Sequence, residues 1–576
     1  MKIGLIGINK YAKYLNFACD LHIYAFQQFL NQHGHESVIL DYKPVYFGGF
    51  NMRYPAGYAE RRHREALRNG ASSSDVAKRA ELAKGYRSVV RERRRRYEKF
   101  QRFISKNLVF THEVYDSDLL EVRDPGLDCY ICVTDVIWQP VAPYGFDRGF
   151  LLGSRSFEGK KKISYAASRG ASKDFPSDQE DLFFSYLEDM DAISVREQDF
   201  SEYIESKSGL TATTVLDPVM FHDAPFWEKV AQKPKEERYV VLYYVMEKST
   251  DTIAKAVEYA KLHDLTIVEL SDRPLKNGKI TDPDVKHVAR YDVGMEEWLG
   301  YIQHAESVFT NSFHGCCFSL LFEKKFFVGS RNGQKVPNFL AKFGLGGRRF
   351  DGRTDVSELP GDIDYAPVRE ILAAERQLSS EFILGAIDDA QRSIDEGAEF
   401  DAEQYEARRR RLTFPVRFHS DWPGVTRRSR PALPSSRPQG LEFERLGSGA
   451  LEYWYRDTRY VNDGLILAEA PVFESQARKF LGWTVRFRVD NRWFWCMSDG
   501  SVQPGTVGGE ELNARKAVIA PGEHIPHFPV NHVSAAVLVA KWGGGGLVTH
   551  LAIFARAVVA RARHFARRMV ANTRWG

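Results

Sequence analysis

Residues 310–328 read TNSFHGCCFSLLFEKKFFV, and this stretch predicts a strand-to-helix junction that carries His314. A short β-prone run leads into apolar residues that return at helical spacing from Phe313 onwards. Ser312 is a suitable N-cap, so the unpaired backbone N–H groups of residues 313–315 should point into the same region as His314. A strand that leads directly into such a helix start predicts an anion site with a proton-transferring side chain beside it.

The surroundings of His314 leave two interpretations open. Gly315 allows a ligand or another chain segment to approach the backbone closely, and a histidine beside an anion site indicates phosphate-ester chemistry. The alternative is a buried histidine that only fills the start of a helix. The residues of this stretch alone do not choose between the two.

Strand-like and helical stretches alternate on both sides of this region. The first group of strand-like runs comprises residues 2–8, 36–41, 129–134, 162–166, 192–195 and 212–216. The second group comprises residues 239–244, 265–270, 307–310 and 326–329, with helices predicted over 251–263 and 296–304. Such alternation predicts an α/β fold in which helices cover both faces of parallel sheets.

We therefore expect two doubly wound, Rossmann-like domains, residues 1–217 and 218–400. A hinge rich in Pro and charge is predicted at residues 218–238. Asp217 and Pro218 lie at its start, and we expect them to fix the crossing between the domains and to have a structural role.

The composition changes near residue 400. Residues 408–411 are four arginines, and residues 415–440 are rich in Pro, Ser and Arg. This composition predicts a linker over residues 401–440.

A small β-rich module is predicted in residues 441–576. Residues 483–489 alternate apolar and polar side chains, and residues 490–491 can turn the chain into the aromatic run at 493–495. The pattern indicates an aromatic hairpin, which either builds a small β core or stacks on carbohydrate.

A terminal amphipathic helix is predicted after the glycines at 543–546. Its apolar face is formed by Leu547, Leu551, Phe554, Val558, Phe565 and Met569. The opposite face carries Arg556, Arg563, Arg567 and Arg574. Such a helix can lie on an anionic bilayer or dock on its own protein, and both interpretations stay open.

The overall composition is that of a large folded protein. The chain has 576 residues, too many for one core, and its 43% hydrophobic and 13% aromatic content excludes a disordered chain. The net charge of +4 comes from 80 basic and 76 acidic residues, which excludes a general nucleic-acid binder. Residues 1–8 resemble a first strand rather than a signal sequence, and no apolar run reaches the roughly 20 residues of a spanning helix. We expect a cytoplasmic protein, with peripheral contact at the inner face of the cell membrane as an open alternative.

A run of basic residues falls within a helix predicted over residues 75–106. It contains Arg91, Arg93, Arg94, Arg95 and Arg96. Such a run usually forms a solvated helix face, although it can also attract an anionic membrane or the pyrophosphate of a lipid-linked sugar. No aromatic stacking pattern accompanies it, so we expect no nucleic-acid partner.

The cysteines do not indicate a metal site. Cys129 and Cys132 have the spacing of a redox or zinc pair, but they lie in a β-prone run, where residues three apart face opposite sides. Near Cys316 and Cys317 no second thiolate or histidine pair lies at ligand spacing. We expect these thiols to pack as small hydrophobic groups, and we predict no metal and no cofactor.

Six short segments follow one another in a characteristic order. They are KIGLI at 2–6 with the helix and strand that follow it, VTDVIW at 133–138, SYAAS at 164–168, ISVRE at 193–197, LDP at 216–218 and the histidine stretch at 310–328. Together they resemble the polysaccharide pyruvyl transferase family, whose members move the enolpyruvyl unit of phosphoenolpyruvate onto sugar hydroxyls. The resemblance covers about residues 1–395.

The chain departs from the family pattern at several positions. Val133 and Val136 stand where the family has Gly and Gln, so only Asp135 and Trp138 transfer from that segment. Ala18 replaces a glycine that many relatives have near the first loop.

The resemblance implies two domains that face a cleft, as in GT-B-like folds. It implies phosphoenolpyruvate as the donor substrate and a saccharide or lipid-linked saccharide of a surface glycan as the acceptor. His314 is then the catalytic acid, and Asp135 either orients or deprotonates the acceptor hydroxyl, unless it caps the next helix. The expected substrate-binding residues are Arg196, Arg331, Asn311, Ser312, Phe313 and Gly315.

Two arginines are the candidates for holding the donor's anionic groups. Arg196 ends a predicted strand, so its guanidinium should reach the cleft and bind carboxylate or phosphate in bidentate fashion. The alternative is a salt bridge to Glu197 or Asp199. In one branch of the family an arginine lies two residues before the histidine, where this chain has Ser312, so we assign the second clamp to Arg331.

Two other functions fit the same residues. A GT-B glycosyltransferase would hold the diphosphate of a nucleotide-sugar at the helix start near His314. A non-catalytic scaffold for glycan assembly would instead use the aromatic hairpin and the basic tail as binding surfaces.

Deleting residues 441–576 should leave the activity on a small soluble acceptor intact while reducing association with anionic liposomes. The linker should let the first 400 residues fold alone, and each basic residue near an anionic surface contributes about 1 kcal/mol. Co-flotation of the full chain and the truncation at low and high salt measures the effect. Equal flotation would contradict a membrane role, and an insoluble truncation would favour the docked tail.

Overall fold

The structure is a computed structural model of the full chain. It describes residues 1–8, 10–11, 15–44, 52–68, 70–117, 119–121, 123–141, 146–170, 175, 177–245, 250–270, 280, 282–330 and 333–397, and the backbone of six strands beyond residue 441. The chain divides into two compact units, Met1–Gln139 with Phe146–Phe400, and Pro140–Gly145 with Asp401–Gly576.

The first unit begins with a seven-stranded parallel sheet. Its strands are β1 (Ile3–Ile6), β2 (Ser37–Tyr42), β3 (Phe110–Tyr115), β4 (Cys129–Asp135), β5 (Lys161–Ala167), β6 (Ser194–Val195) and β7 (Thr213–Thr214). Its helices are α1 (Phe17–Gln32), α2 (Pro55–Arg68), α3 (Ser73–Ser88), α4 (Val90–Asn107), α5 (Ser177–Leu187) and α6 (Gln198–Ser208). The strand order is β3-β2-β1-β4-β5-β6-β7, so the winding reverses between β1 and β4.

A second parallel sheet of five strands follows in the same unit. Its strands are β8 (Tyr239–Tyr243), β9 (Thr266–Glu269), β10 (His287–Ala289), β11 (Ser307–Thr310) and β12 (Phe326–Val328). The helices are α7 (Ala224–Glu228), α8 (Thr250–His263), α9 (Met295–Gln303), α10 (Phe313–Leu321), α11 (Lys335–Lys342) and α12 (Tyr365–Asp395). The order β10-β9-β8-β11-β12 again reverses, here between β8 and β11. The two doubly wound sheets confirm the predicted α/β class.

Some elements differ from the sequence-based prediction. The strands β3 and β10 were not predicted, and the single helix expected over 75–106 is broken at Val89 into α3 and α4. β3 is an edge strand with mixed burial, so it lacks the continuous apolar run of a buried parallel strand.

The arginine run on α4 is not the solvated face that we expected. Arg93 and Arg96 are fully buried, whereas Arg94 and Arg95 are exposed. Arg93 and Arg96 belong to the same helix face as Phe100, which explains why the run splits between core and solvent.

The Arg96 guanidinium links α4 to the second sheet. Its Nε donates to the Val293 carbonyl at 3.1 Å, and its Nη2 donates to the Leu270 carbonyl at 2.9 Å. The group also lies 4.6 Å from the centre of the Phe17 ring, which stacks on Trp298 of α9 at 5.1 Å. One hydrophobic core therefore runs from α1 to α9.

The last long helix of this unit returns to the first sheet. Ser379 on α12 is fully buried and accepts a hydrogen bond from the Leu216 backbone N–H at 2.9 Å. Arg376 on the same helix donates to the carbonyls of Met220 and His222. These contacts hold the segment that follows β7 in place.

The second unit contains a six-stranded antiparallel sheet. Its strands are β13 (Glu442–Arg445), β14 (Leu451–Arg456), β15 (Phe480–Val489), β16 (Arg492–Cys496), β17 (Val502–Pro504) and β18 (Val533–Trp542), in the order β13-β14-β18-β15-β16-β17. Val489 of β15 pairs with Arg492 of β16, and the antiparallel sheet confirms the predicted β-rich character of this module, while the predicted turn at residues 490–491 lies outside the described residues. The predicted linker at 401–440 and the predicted terminal helix lie outside the described residues. Within the described part of the chain, no helix has both the length and the hydropathy to cross a membrane.

Replacing Arg96 by methionine should lower the free energy of unfolding by about 2–4 kcal/mol. The change leaves two buried carbonyls without these donors and removes the contact with Phe17. Arg95→Met, on the exposed face of the same helix, is the matched control and should cost less than about 0.5 kcal/mol. Thermal and denaturant unfolding of both variants measures the difference. Equal destabilisation would show that the buried hydrogen bonds do not stabilise the fold.

Candidate functional site

The polar side chains that end the strands of both sheets meet in one buried cluster. Asp135 ends β4, Arg196 follows β6, and Asp217 follows β7 in the first sheet. His314 follows β11 in the second sheet, at the start of α10. In doubly wound sheets, ligand sites form at the carboxyl ends of strands near the point where the winding reverses. β4 and β11 lie at this point in their sheets.

The Asp217 carboxylate joins the cluster together. Its Oδ2 accepts a hydrogen bond from Arg196 Nη1 at 2.6 Å and lies 3.2 Å from His314 Nε2. Its Oδ1 accepts from the Val219 backbone N–H at 3.2 Å, which caps the turn at Pro218–Phe221. Asp217 therefore has the structural role expected from the sequence and a second role beside the histidine.

Arg196 contacts three carboxylates at once. Besides Asp217, it reaches Glu197 Oε1 from Nε at 3.2 Å and Asp135 Oδ1 from Nη2 at 3.5 Å. The salt bridge to Glu197 that we considered as an alternative thus exists, but it occupies only one edge of the guanidinium. Asp199 instead pairs with Arg169 at 3.4 Å.

The helix start at His314 has the predicted local structure. Ser312 caps α10, and its Oγ accepts from the Gly315 backbone N–H at 3.3 Å. A Cβ at residue 315 would lie 2.5 Å from Thr310 Oγ1, so only glycine fits between this helix and the end of β11. Asn311 accepts from the Val245 backbone N–H at 2.8 Å, which ties the site to the end of β8.

Asp135 is held in an unusual backbone conformation. Its φ is +65°, and that of Thr134 is +34°, both in the left-handed region that non-glycine residues rarely adopt. No helix begins within residues 136–141, so Asp135 is not the helix cap that we considered. Strained residues of this kind concentrate at functional sites.

Phe313 carries two cations beside its ring. The Arg196 Cζ lies 4.8 Å from the ring centre, and the Lys335 Nζ lies 4.5 Å from it. Lys335 also lies 3.9 Å from Asp135 Oδ1. Two cations held this close to each other suit a ligand with more than one anionic group.

The charge states follow from burial and from these contacts. Burial alone would raise the pKa of Asp217, but His314 and then Arg196 hold this pKa well below its ordinary value. Asp135 is likewise kept anionic, because Lys335 and Arg196 lower its pKa against the effect of burial. Burial, together with the neighbouring Arg196, lowers the pKa of Lys335 to about 8. Burial lowers the pKa of His22 to about 4, so this imidazole is neutral at neutral pH.

The structure brings most of the residues proposed from the sequence into this cluster. His314, Asp135, Arg196 and Phe313 lie together, while Arg331 lies outside the described residues.

Sequence reasoning missed four contributors to the cluster: Asp217 as a partner of the histidine, Lys335, His22 and Cys19. Asp217 follows a strand, so the rule that ligand sites form at the carboxyl ends of strands could have identified it. The other three lie on α11 and α1, where no local pattern marks them.

Solved structures resemble the chain only distantly. CalG4, the calicheamicin glycosyltransferase, is 13% identical over 69% of this chain and 99% of its own, with a TM-score of 0.34. A putative UDP-N-acetylglucosamine 2-epimerase from Listeria monocytogenes is 11% identical over 69% of this chain and 98% of its own, with a TM-score of 0.33. T4 phage BGT, solved with UDP and Mn2+, is 13% identical over 71% of this chain and 99% of its own, with a TM-score of 0.31. Scores this low carry no argument, and the fold rests on the sheet topology.

Family membership rests on the sequence. A comparison with curated proteins gives no match. The family profile described as polysaccharide pyruvyl transferase matches residues 19–332, which is more than half of the chain and spans Asp135, Arg196, Asp217 and His314. The chain therefore belongs to the polysaccharide pyruvyl transferase family.

Proposed function

We propose that this transferase moves the enolpyruvyl group of phosphoenolpyruvate onto a sugar of a surface glycan or its lipid-linked precursor and forms a pyruvate ketal. The observation that carries the proposal is the placement of Arg196 and Lys335 on one aromatic ring beside the His314–Asp217 pair. Phosphoenolpyruvate carries a carboxylate and a phosphate on one small carbon unit, so it matches two adjacent cations next to a proton donor.

The donor's two anionic groups are divided between Arg196 and Lys335. The backbone N–H groups of Phe313 and His314 at the start of α10 add donors for the phosphate, because the first N–H groups of a helix have no partner within the helix. Arg331 is proposed as a further contact to the donor.

His314 supplies the proton for the methylene carbon. Its Nε2 faces Asp217 at 3.2 Å, so Nδ1 is the nitrogen that gives the proton to the donor. The anionic Asp217 fixes the orientation of the ring through this contact.

The acceptor sugar reacts twice at the same carbon. One hydroxyl attacks the central carbon as His314 protonates the methylene carbon, and the proton of this hydroxyl passes to the phosphate group. The carbon–oxygen bond to phosphate then breaks and releases inorganic phosphate. A second hydroxyl of the same sugar attacks that carbon and gives its proton to the imidazole of His314, which closes the ketal and restores the acid. Because the pKa of Asp135 is held low, its proposed role is to orient the first hydroxyl rather than to act as a strong base.

The location of the acceptor is also part of the proposal. A lipid-linked precursor would lie at the inner face of the cell membrane, and residues 441–576 would then provide peripheral contact with that surface. The catalytic cluster lies entirely in the first unit, so transfer to a soluble acceptor does not depend on this contact.

Phosphoenolpyruvate should raise the melting temperature of the protein, whereas a nucleotide-sugar should not. A ligand that binds only the folded state stabilises it by about 2.7 kcal/mol at 100 times its Kd. In Arg196→Lys the phosphoenolpyruvate shift should shrink strongly, because one ammonium cannot replace a bidentate guanidinium. Arg348→Lys is the matched control, because Arg348 is a buried arginine outside the cluster that donates to the carbonyls of Pro360, Gly361 and Asp362. Protection by a nucleotide-sugar alone would overturn the proposal in favour of a glycosyltransferase.

His314→Ala should keep the fold and the binding of phosphoenolpyruvate but reduce kcat by a factor of about 10² or more. The substitution removes the proton donor and leaves the two cations in place. Phosphate release in the presence of a sugar acceptor measures kcat, and the exposed His304→Ala serves as the control. Near-normal turnover in His314→Ala would contradict the assignment.

A further inference from the structure

Three side chains of metal-ligating type converge on the side of Asp135 that faces α1. Cys19 and His22 lie three residues apart on α1, so both project from one face of the helix. One donor atom from each of Cys19, His22 and Asp135 lies within 4.8 Å of the other two.

His22 is buried without any hydrogen-bond partner among the described residues. Its side chain has no exposed surface, and neither Nδ1 nor Nε2 finds a donor or acceptor. Buried polar groups are nearly always satisfied, because an unpaired one loses its hydration without replacement. The ring lies beside His314, with 6.2 Å between the ring centres, so whatever satisfies it lies next to the catalytic cluster.

The two oxygens of Asp135 face different neighbours. Its Oδ1 lies 3.5 Å from Arg196 Nη2 and 3.9 Å from Lys335 Nζ. Its Oδ2 lies 3.9 Å from Cys19 Sγ. Asp135 can therefore use Oδ2 as a ligand while Oδ1 keeps its contacts with the two cations.

We propose that Cys19, His22 and Asp135 bind one divalent cation of the zinc class. A thiolate, an imidazole and a carboxylate form a ligand set that suits Zn²⁺, and three protein ligands leave a fourth coordination position for a non-protein ligand. Ligand bonds of about 2.0–2.3 Å place tetrahedral donors roughly 3.3–3.8 Å apart, so closing the site needs movements of about 1 Å. On binding, the Cys19 thiol releases its proton to solvent.

The charges of the cluster favour such a cation. Among the described side chains, the carboxylates of Asp135, Asp217 and Glu197 outnumber the cations Arg196 and Lys335. A divalent cation bound to a thiolate adds one net positive charge and makes the site more favourable for any anionic ligand.

From the sequence we expected no metal site, and Cys19 and Asp135 lie 116 residues apart along the chain. Only the pairing of β1 with β4 brings the helix that follows β1 next to the end of β4. No spacing rule along the chain detects a ligand set that is assembled in this way.

Binding of Co²⁺ to the chelator-treated full chain tests the proposal. The unmodified protein should show a near-ultraviolet thiolate-to-cobalt charge-transfer band, should lose it when Zn²⁺ is added, and should retain one zinc per chain by elemental analysis after gel filtration. Cys19→Ser should abolish the band, and His22→Gln should weaken Zn²⁺ binding at least about tenfold. Cys132→Ser, a buried thiol of β4 outside the ligand set, and the exposed His304→Ala should behave like the unmodified protein.

Two outcomes would overturn the proposal. One is the absence of the charge-transfer band from the unmodified protein, a measurement that requires no variant to fold. The other is equal Zn²⁺ binding by Cys19→Ser and Cys132→Ser. If Zn²⁺ does not bind but phosphoenolpyruvate still raises the melting temperature, the metal site is wrong and the proposed donor stands. If Zn²⁺ binds but phosphoenolpyruvate does not raise the melting temperature, the proposed donor is wrong and the metal site stands.

Discussion

A buried carboxylate, Asp217, is the group on which the geometry of the site depends. Its Oδ2 contacts Arg196 and His314 and lies 3.4 Å from Thr134 Oγ1. Its Oδ1 accepts a hydrogen bond from the Val219 N–H. A buried charge needs pairing and hydrogen bonds to offset its lost hydration, and these partners together supply them. Because Asp217 belongs to the first sheet and His314 to the second, this one carboxylate fixes the position of the imidazole relative to both sheets.

The cations of the site are arranged around this anchor. Arg196 divides its donors among three carboxylates, and its Cζ also lies 4.8 Å from the centre of the Phe313 ring. Lys335 approaches the same ring from α11 in a poorly hydrated position, which lowers its pKa to about 8. The carboxylates of Asp135, Asp217 and Glu197 lie against these two cations and offset their mutual repulsion.

The packing of α1 connects the fold to the chemistry. Phe17, at the start of α1, lies between the Arg96 guanidinium and Trp298, so contacts from α4 and α9 hold this end of the helix. Cys19 and His22 follow within the next two turns and face Asp135. The buried arginine of α4 therefore supports the start of the helix that carries Cys19 and His22, within the same core that contacts α9.

The amino-acid sequence predicts those elements whose signals are local. The alternation of apolar runs and helical stretches predicted the α/β class, and Ser312 with Gly315 predicted the capped helix start at His314, because N-caps and close backbone approaches depend on a few adjacent residues. The sequence also placed Asp135 and Arg196 at strand ends, where the carboxyl-end rule applies. It failed where burial depends on distant partners: Arg93 and Arg96 looked like part of a solvated face, and Lys335, Cys19 and His22 carried no signal. The placement of Cys19, His22 and Lys335 around Asp135 depends on the tertiary structure. Strand order and helix packing bring together residues more than 100 positions apart, as with Cys19 and Asp135.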